Sequence, residues 1–84
     1  MNSKQQKTLA AIFALPTAKN LVWADIESLF LALGCTLLEG SGSRVSFMRD
    51  GIKADFHRPH PGKEAKAYQV KDARHFLMTL GVKP

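Results

Sequence analysis

The chain has 84 residues, 45% hydrophobic and 23% charged, with a formal net charge of +5. This is the composition of a folding chain, and its length predicts one small domain over residues 1–84 with a modest core. A single cysteine, Cys35, excludes an internal disulfide framework, no apolar run is long enough to cross a bilayer, and Met1 to Lys7 lacks the apolar centre of a secretory signal, so the expectation is a cytosolic protein without membrane contact.

Ser3-Lys4-Gln5-Gln6 reads as a capping box, and Leu9, Ile12 and Phe13 recur at helical spacing up to Pro16, which predicts a helix over 3–15. Residues 1–16 thus form an N-terminal helical segment ahead of a core over 20–82. Trp23, Ile26, Leu29, Phe30 and Leu33 fall on one face of a second helix, with Asp25 and Glu27 in its first turns and Gly34 as its stop. Membership in that stripe assigns Trp23 to core packing rather than to base stacking. Cys35 to Glu39 is a short strand, and Cys35, beside a helix C-terminus and without an activating cation, is structural. Gly40-Ser41-Gly42-Ser43 is a flexible turn that lacks the spacing of nucleotide-binding loops.

Asp50-Gly51 between Arg44–Arg49 and Ile52–His57 predicts a two-residue hairpin with Arg49 opposite Ile52. In that register Val45 and Phe47 share a face with Ala54 and Phe56. The other face carries Arg44, Ser46, Met48, Lys53, Asp55 and His57. A slip by one residue would mix the apolar and polar sets. Arg44 then sits directly across from His57, with Cβ atoms roughly 4.5–5.5 Å apart. The prolines at 59 and 61 end pairing. Val70, Ala73, Phe76, Leu77 and Leu80 mark a last helix that stops at Gly81, with His75 on its surface side. The expected fold class is α+β: two helices, a three-stranded antiparallel meander and a helix, the helices packed on one sheet face.

Charge is unevenly placed. Residues 1–43 are neutral, while residues 44–84 carry nine Lys or Arg against four acids, which holds the whole +5. An anionic partner, nucleic acid or an acidic protein, suits that half. The same half holds Phe56-His57-Arg58-Pro59-His60-Pro61-Gly62-Lys63, a connection rich in proton-transfer and phosphate-gripping groups; the alternative is a solvated, proline-stiffened loop. His57-x-x-His60 is a weak metal signal, since no third ligand is near and Arg58 between them would repel a cation, and no nucleophile elbow is present, so neither metal nor cofactor is expected. RNA cleavage needs less, because the 2′-OH is an internal nucleophile. His57 and His60 can move protons, and Arg44, Ser43, Arg58, Lys63 and Lys53 can hold phosphate.

The chain resembles the HicA toxins of bacterial type II toxin–antitoxin pairs. The likeness rests on Leu33-Gly34-Cys35, Gly42-Ser43 before the second strand, Pro59-His60-Pro61-Gly62-Lys63, and Phe76-Leu77 through Leu80-Gly81-Val82. It covers roughly residues 20–82 and is nearest to the longer variants with an extra N-terminal helix. The resemblance implies a double-stranded-RNA-binding-domain-like α-β-β-β-α fold and an mRNA-cleaving ribonuclease that arrests translation. It also implies a HicB-type antitoxin covering the active face, and contact with operator DNA only through the antitoxin complex. In compact members the catalytic His directly follows Gly-Ser. Arg44 stands there in this chain, and the hairpin register offers His57 as the imidazole that fills nearly the same space from the neighbouring strand. His60 matches the Pro-His-Pro position. Two other functions fit the same composition, a noncatalytic RNA-binding module and a protein-interaction domain with a basic face.

Overall fold

In the computed structural model, which describes residues 1–84, the chain opens with α1 (Ser3–Phe13). Its capping box lies one residue earlier than Ser3-to-Gln6: Gln5 N–H donates to Asn2 Oδ1 (2.8 Å) and Asn2 N–H donates to Gln5 Oε1 (2.9 Å). Asn is among the strongest N-cap acceptors, and here it takes the role. The helix ends before the expected residue 15, because Ala14 is already extended (φ −67°, ψ 147°). Proline also disfavours helical geometry at the residue before it, Leu15. The open carbonyls at this end are met by Arg74, whose Nε donates to Ile12 O (2.8 Å) and whose Nη2 donates to Ala14 O (3.3 Å). A cation at a helix C-terminus also suits the helix dipole.

α2 (Trp23–Ala32) buries Trp23, Ile26, Leu29 and Phe30, the stripe its spacing predicts. Leu33 is half-buried at its end, and Gly34 turns the chain with φ +87°. The strands β1 (Thr36–Glu39), β2 (Arg44–Arg49) and β3 (Ile52–His57) form an antiparallel sheet in sequence order. β1 starts one residue after Cys35, which is buried in the core. The β2–β3 pairing runs from Arg49↔Ile52 to Arg44↔His57, the register read from the turn. Asp50 (φ 54°) and Gly51 (φ 78°) both adopt the left-handed conformation that a two-residue hairpin turn of this kind demands. α3 (Ala67–Thr79) closes the fold. The order α2-β1-β2-β3-α3 is the double-stranded-RNA-binding-domain-like arrangement, with α1 in front of it.

The core lies on one face of the sheet. Val45, Phe47 and Phe56 point toward the helices, and Phe30 stands at their centre. Its ring centroid is 5.0 Å from Phe47, 5.8 Å from Phe56 and 5.2 Å from Phe76. α1 packs on α2 and α3 and sends Leu9 and Ile12 into the same cluster. Gln5 Nε2 donates to Ser28 Oγ (3.0 Å), and Lys4 pairs with Asp25 (3.6 Å), along the α1–α2 seam. Ile12 is fully buried. Ile12→Ala is therefore expected to lower the unfolding free energy by about 2–5 kcal/mol, read as a lower urea midpoint at unchanged slope.

No helix is long and apolar enough to cross a membrane.

Candidate functional site

The sheet face turned away from the core is built by strand alternation. It carries Arg44, Ser46 and Met48 from β2 beside Lys53, Asp55 and His57 from β3, with Thr36 and Leu38 added from β1. These side chains form three rows across the strands. Thr36, Met48 and Lys53 lie nearest the Asp50-Gly51 turn, and Leu38, Ser46 and Asp55 lie in the middle. Arg44 and His57 lie at the far end, beside the turn over residues 40–43. Leu38 and Met48 are 40% and 37% exposed, so this face presents apolar as well as charged groups to a partner.

The row of Arg44 and His57 is bounded by the turn over residues 40–43. Gly40 N–H donates to Arg44 O (2.9 Å), and a Cβ on Gly40 would lie 3.0 Å from Arg44 Cβ. A side chain at position 40 would crowd the Arg44 backbone and Cβ and push them outward by a few tenths of an ångström. Ser43 Oγ lies 3.4 Å from His57 Nδ1, which leaves Nε2 as the outer nitrogen of an exposed ring. The His57 carbonyl points away from β2 and accepts a hydrogen bond from Gln69 Nε2 (2.5 Å). Gln69 is buried in the first turn of α3, where its Oε1 accepts from Lys66 N–H (2.9 Å). Residue 57 is thus pinned by its main chain, while its imidazole stays exposed beside Ser43. In the middle row Ser46 Oγ donates to Asp55 (2.5 Å) and Lys53 Nζ lies 3.7 Å away. The Ser46 hydrogen bond, then the Lys53 and Arg44 charges, hold the Asp55 carboxyl below its usual range.

Arg58 faces the other way. Pairing continues one step past β3, with Arg58 N–H donating to Ser43 O (2.8 Å). Alternation then turns the Arg58 side chain to the helix side, opposite His57. Its Nε and Nη2 donate to Glu27 (2.7 and 3.2 Å), and its Nη1 and Nη2 donate to Glu39 (2.7 and 3.3 Å). Trp23 Nε1, one helical turn before Glu27, donates to the same carboxylate. The sequence places Arg58 among the phosphate-binding cations; in the fold its guanidinium is bonded to two carboxylates instead.

His60 is exposed and makes no hydrogen bond within the protein, and Lys63 is exposed on the same connection. That connection is stitched to the start of α2 by Trp23 N–H donating to Lys63 O (2.9 Å) and Ala65 N–H donating to Leu21 O (2.7 Å). A shallow cavity beside it is lined by Val22, Trp23, Ala24, Arg58, Pro59, Gly62 and Lys63. The structure therefore brings Ser43, Arg44 and His57 together and sets Lys53 two rows away on the same face. It leaves His60 and Lys63 on the loop that leaves β3. Cys35 is buried, and burial pushes its thiol above the usual range, as suits a packing residue. Glu27, Glu39 and Gln69 stand out only in three dimensions, and the one sequence signal for Glu27 is its spacing of four from Trp23.

The Arg58–Glu39 pair has a consequence for acid stability. Hydrogen bonding to Arg58 holds the Glu39 carboxyl below its ordinary range in the folded protein. The contribution of the pair is therefore fully present above the unfolded glutamate pKa and is lost as pH falls through the lowered folded value. The unfolding temperature is expected to drop on acidification below about pH 5, and Glu39→Gln to flatten that drop, as measured by thermal melts across pH.

Comparison with known proteins places most of the chain in a family. The model described as "HicA toxin of bacterial toxin-antitoxin" matches residues 23–81, from the first residue of α2 to the glycine that follows α3. No curated protein and no solved structure matches the chain.

Proposed function

The chain belongs to the HicA toxin family of bacterial toxin–antitoxin systems, and from that premise we propose that it is a metal-independent endoribonuclease that cleaves mRNA, arrests translation in the cytosol and is silenced by a HicB-type antitoxin. The observation that carries this reading is the row of Arg44 and His57 beside Ser43 on an open sheet face. It supplies an imidazole, a guanidinium and a hydroxyl within the span of one phosphodiester.

The reaction these groups suit begins with the RNA's own 2′-OH. His57 takes its proton as the 2′-oxygen attacks the adjacent phosphorus. The P–O5′ bond breaks, a 2′,3′-cyclic phosphate remains, and the leaving 5′-oxygen takes a proton from an acid. His60 is the proposed acid. The assignments of His57 and His60 exchange if the RNA crosses in the opposite sense. Arg44 beside His57 meets the negative charge that grows on the phosphoryl oxygens, and Ser43, Lys63 and Lys53 hold neighbouring phosphates. The antitoxin is proposed to cover this same face, where exposed Leu38 and Met48 give it an apolar foothold. Operator DNA is reached only through that complex.

The test is incubation of the purified chain with end-labelled single-stranded RNA in EDTA, beside His57→Ala. Cleavage by the parent and its loss in the variant support the proposal. A parent that binds RNA with steep salt dependence and never cleaves it indicates a noncatalytic RNA-binding module.

A further inference from the structure

Arg58 stands between the two histidines of the proposed site, and its bonds tie that region to the rest of the fold. We propose that Trp23, Glu27, Arg58 and Glu39 form a clamp that positions His57 and His60, with Arg58 a positioning residue rather than a phosphate ligand. The inference rests on the ribonuclease reading above and names residues that reading does not use.

Three observations carry it. The first is convergence. The Arg58 main chain binds Ser43, which lies against the His57 ring, and its side chain binds α2 through Glu27 and the end of β1 through Glu39. A single residue thus fixes the turn, the strand end and the helix relative to one another. The second is the loop it anchors. No main-chain hydrogen bond involves residues 59–62, so the span with His60 is held only at its ends, by Arg58 on one side and by Lys63 and Ala65 on the other. The third is charge. One guanidinium faces two carboxylates, and that cluster is net negative by one. A phosphate would be repelled there. Glu27, with its side chain 16% exposed, also receives the Trp23 indole N–H, so its carboxylate is fully engaged inside the fold.

The test compares the full-length parent with Glu27→Gln, Arg58→Lys and the milder Glu39→Gln. Steady-state cleavage of labelled RNA is measured together with NMR of the His57 and His60 imidazoles. Near-ultraviolet circular dichroism reports whether each variant is folded. The clamp predicts that Glu27→Gln and Arg58→Lys lower kcat by about 10–100-fold with KM nearly unchanged. Both imidazole signals should move, and Glu39→Gln should give a smaller fall in the same direction.

Removing a carboxylate makes the protein more positive and should strengthen RNA attraction. A fall in kcat for Glu27→Gln or Glu39→Gln therefore does not arise from weakened binding. Unchanged kcat in folded Glu27→Gln and Glu39→Gln overturns the clamp. So does a raised KM with unchanged kcat in Arg58→Lys, which would make Arg58 a phosphate ligand. If the parent does not cleave RNA, the ribonuclease reading fails separately. The clamp then stands if the imidazole signals move and falls if they do not.

Discussion

Phe30→Ala is expected to remove most of the stability of this protein. Phe30 is fully buried and its ring contacts those of Phe47 and Phe56 on the sheet and Phe76 on α3. Truncating such a ring typically costs about 3–5 kcal/mol, from lost transfer energy and from the cavity left behind. The edge-to-face contacts with Phe47 and Phe76 are of the kind worth about 0.5–1.5 kcal/mol each beyond area burial, which places the expectation at the upper end of that range. A domain of this size has a total stability on the order of 5–10 kcal/mol, so the loss is a large fraction of it. Equilibrium urea denaturation measures it directly. A midpoint far below that of the parent with the same slope is the expected result, and Phe30→Leu should lose clearly less. A loss under about 1 kcal/mol would mean that α2 does not join sheet and α3 through this ring.

His57→Ala is expected to lower kcat by about 10²–10⁴-fold, the usual worth of a positioned general acid or base. The structure also predicts what should stay the same. The imidazole is exposed, and residue 57 is held through its carbonyl by Gln69, a bond that alanine keeps. Stability should therefore shift by no more than about 0.5 kcal/mol. RNA affinity and its salt dependence should also hold, because the cations proposed to meet phosphate are untouched. A melting curve, a binding isotherm at two salt concentrations and a cleavage rate on the same preparation test all three. Full cleavage by folded His57→Ala would remove this residue from the chemistry and leave His60 as the candidate.

The hairpin was the most legible part of the sequence. Asp50-Gly51 fixes the loop length, loop length fixes the register, and the register sorts Val45, Phe47, Ala54 and Phe56 from Arg44, Asp55 and His57. The helix stripes and the stop at Gly34 were legible for the same reason: period and turn chemistry are local. What sequence could not show was where Arg58 would point. Pro59 marks the end of regular pairing, yet pairing continues through the Arg58 amide, and that one extra step of alternation carries the side chain to the helix side. Glu27 presents the related case. On a helical wheel it falls off the apolar stripe and reads as solvent-facing. In the fold it meets a guanidinium from a residue 31 positions away. Such pairs are set by how elements pack, which no local pattern encodes. At the start of α1, Asn2 and Ser3 are both good caps in adjacent positions, so the choice between them was decided by the whole helix rather than by the motif.

The seam between α1 and the rest has a practical meaning for anyone trimming or grafting this protein. The segment shared with the family starts at α2, but the interior does not. Leu9 and Ile12 from α1 belong to the common hydrophobic cluster, and Arg74 of α3 spends its donors on carbonyls of α1 and the residue after it. The line drawn by ancestry and the line drawn by physics therefore fall in different places. A fragment cut at the family boundary would carry an oily scar on α2 and α3 and an arginine without acceptors. A shortened version that stays soluble needs polar replacements on those two helices before it needs anything at the outer sheet face.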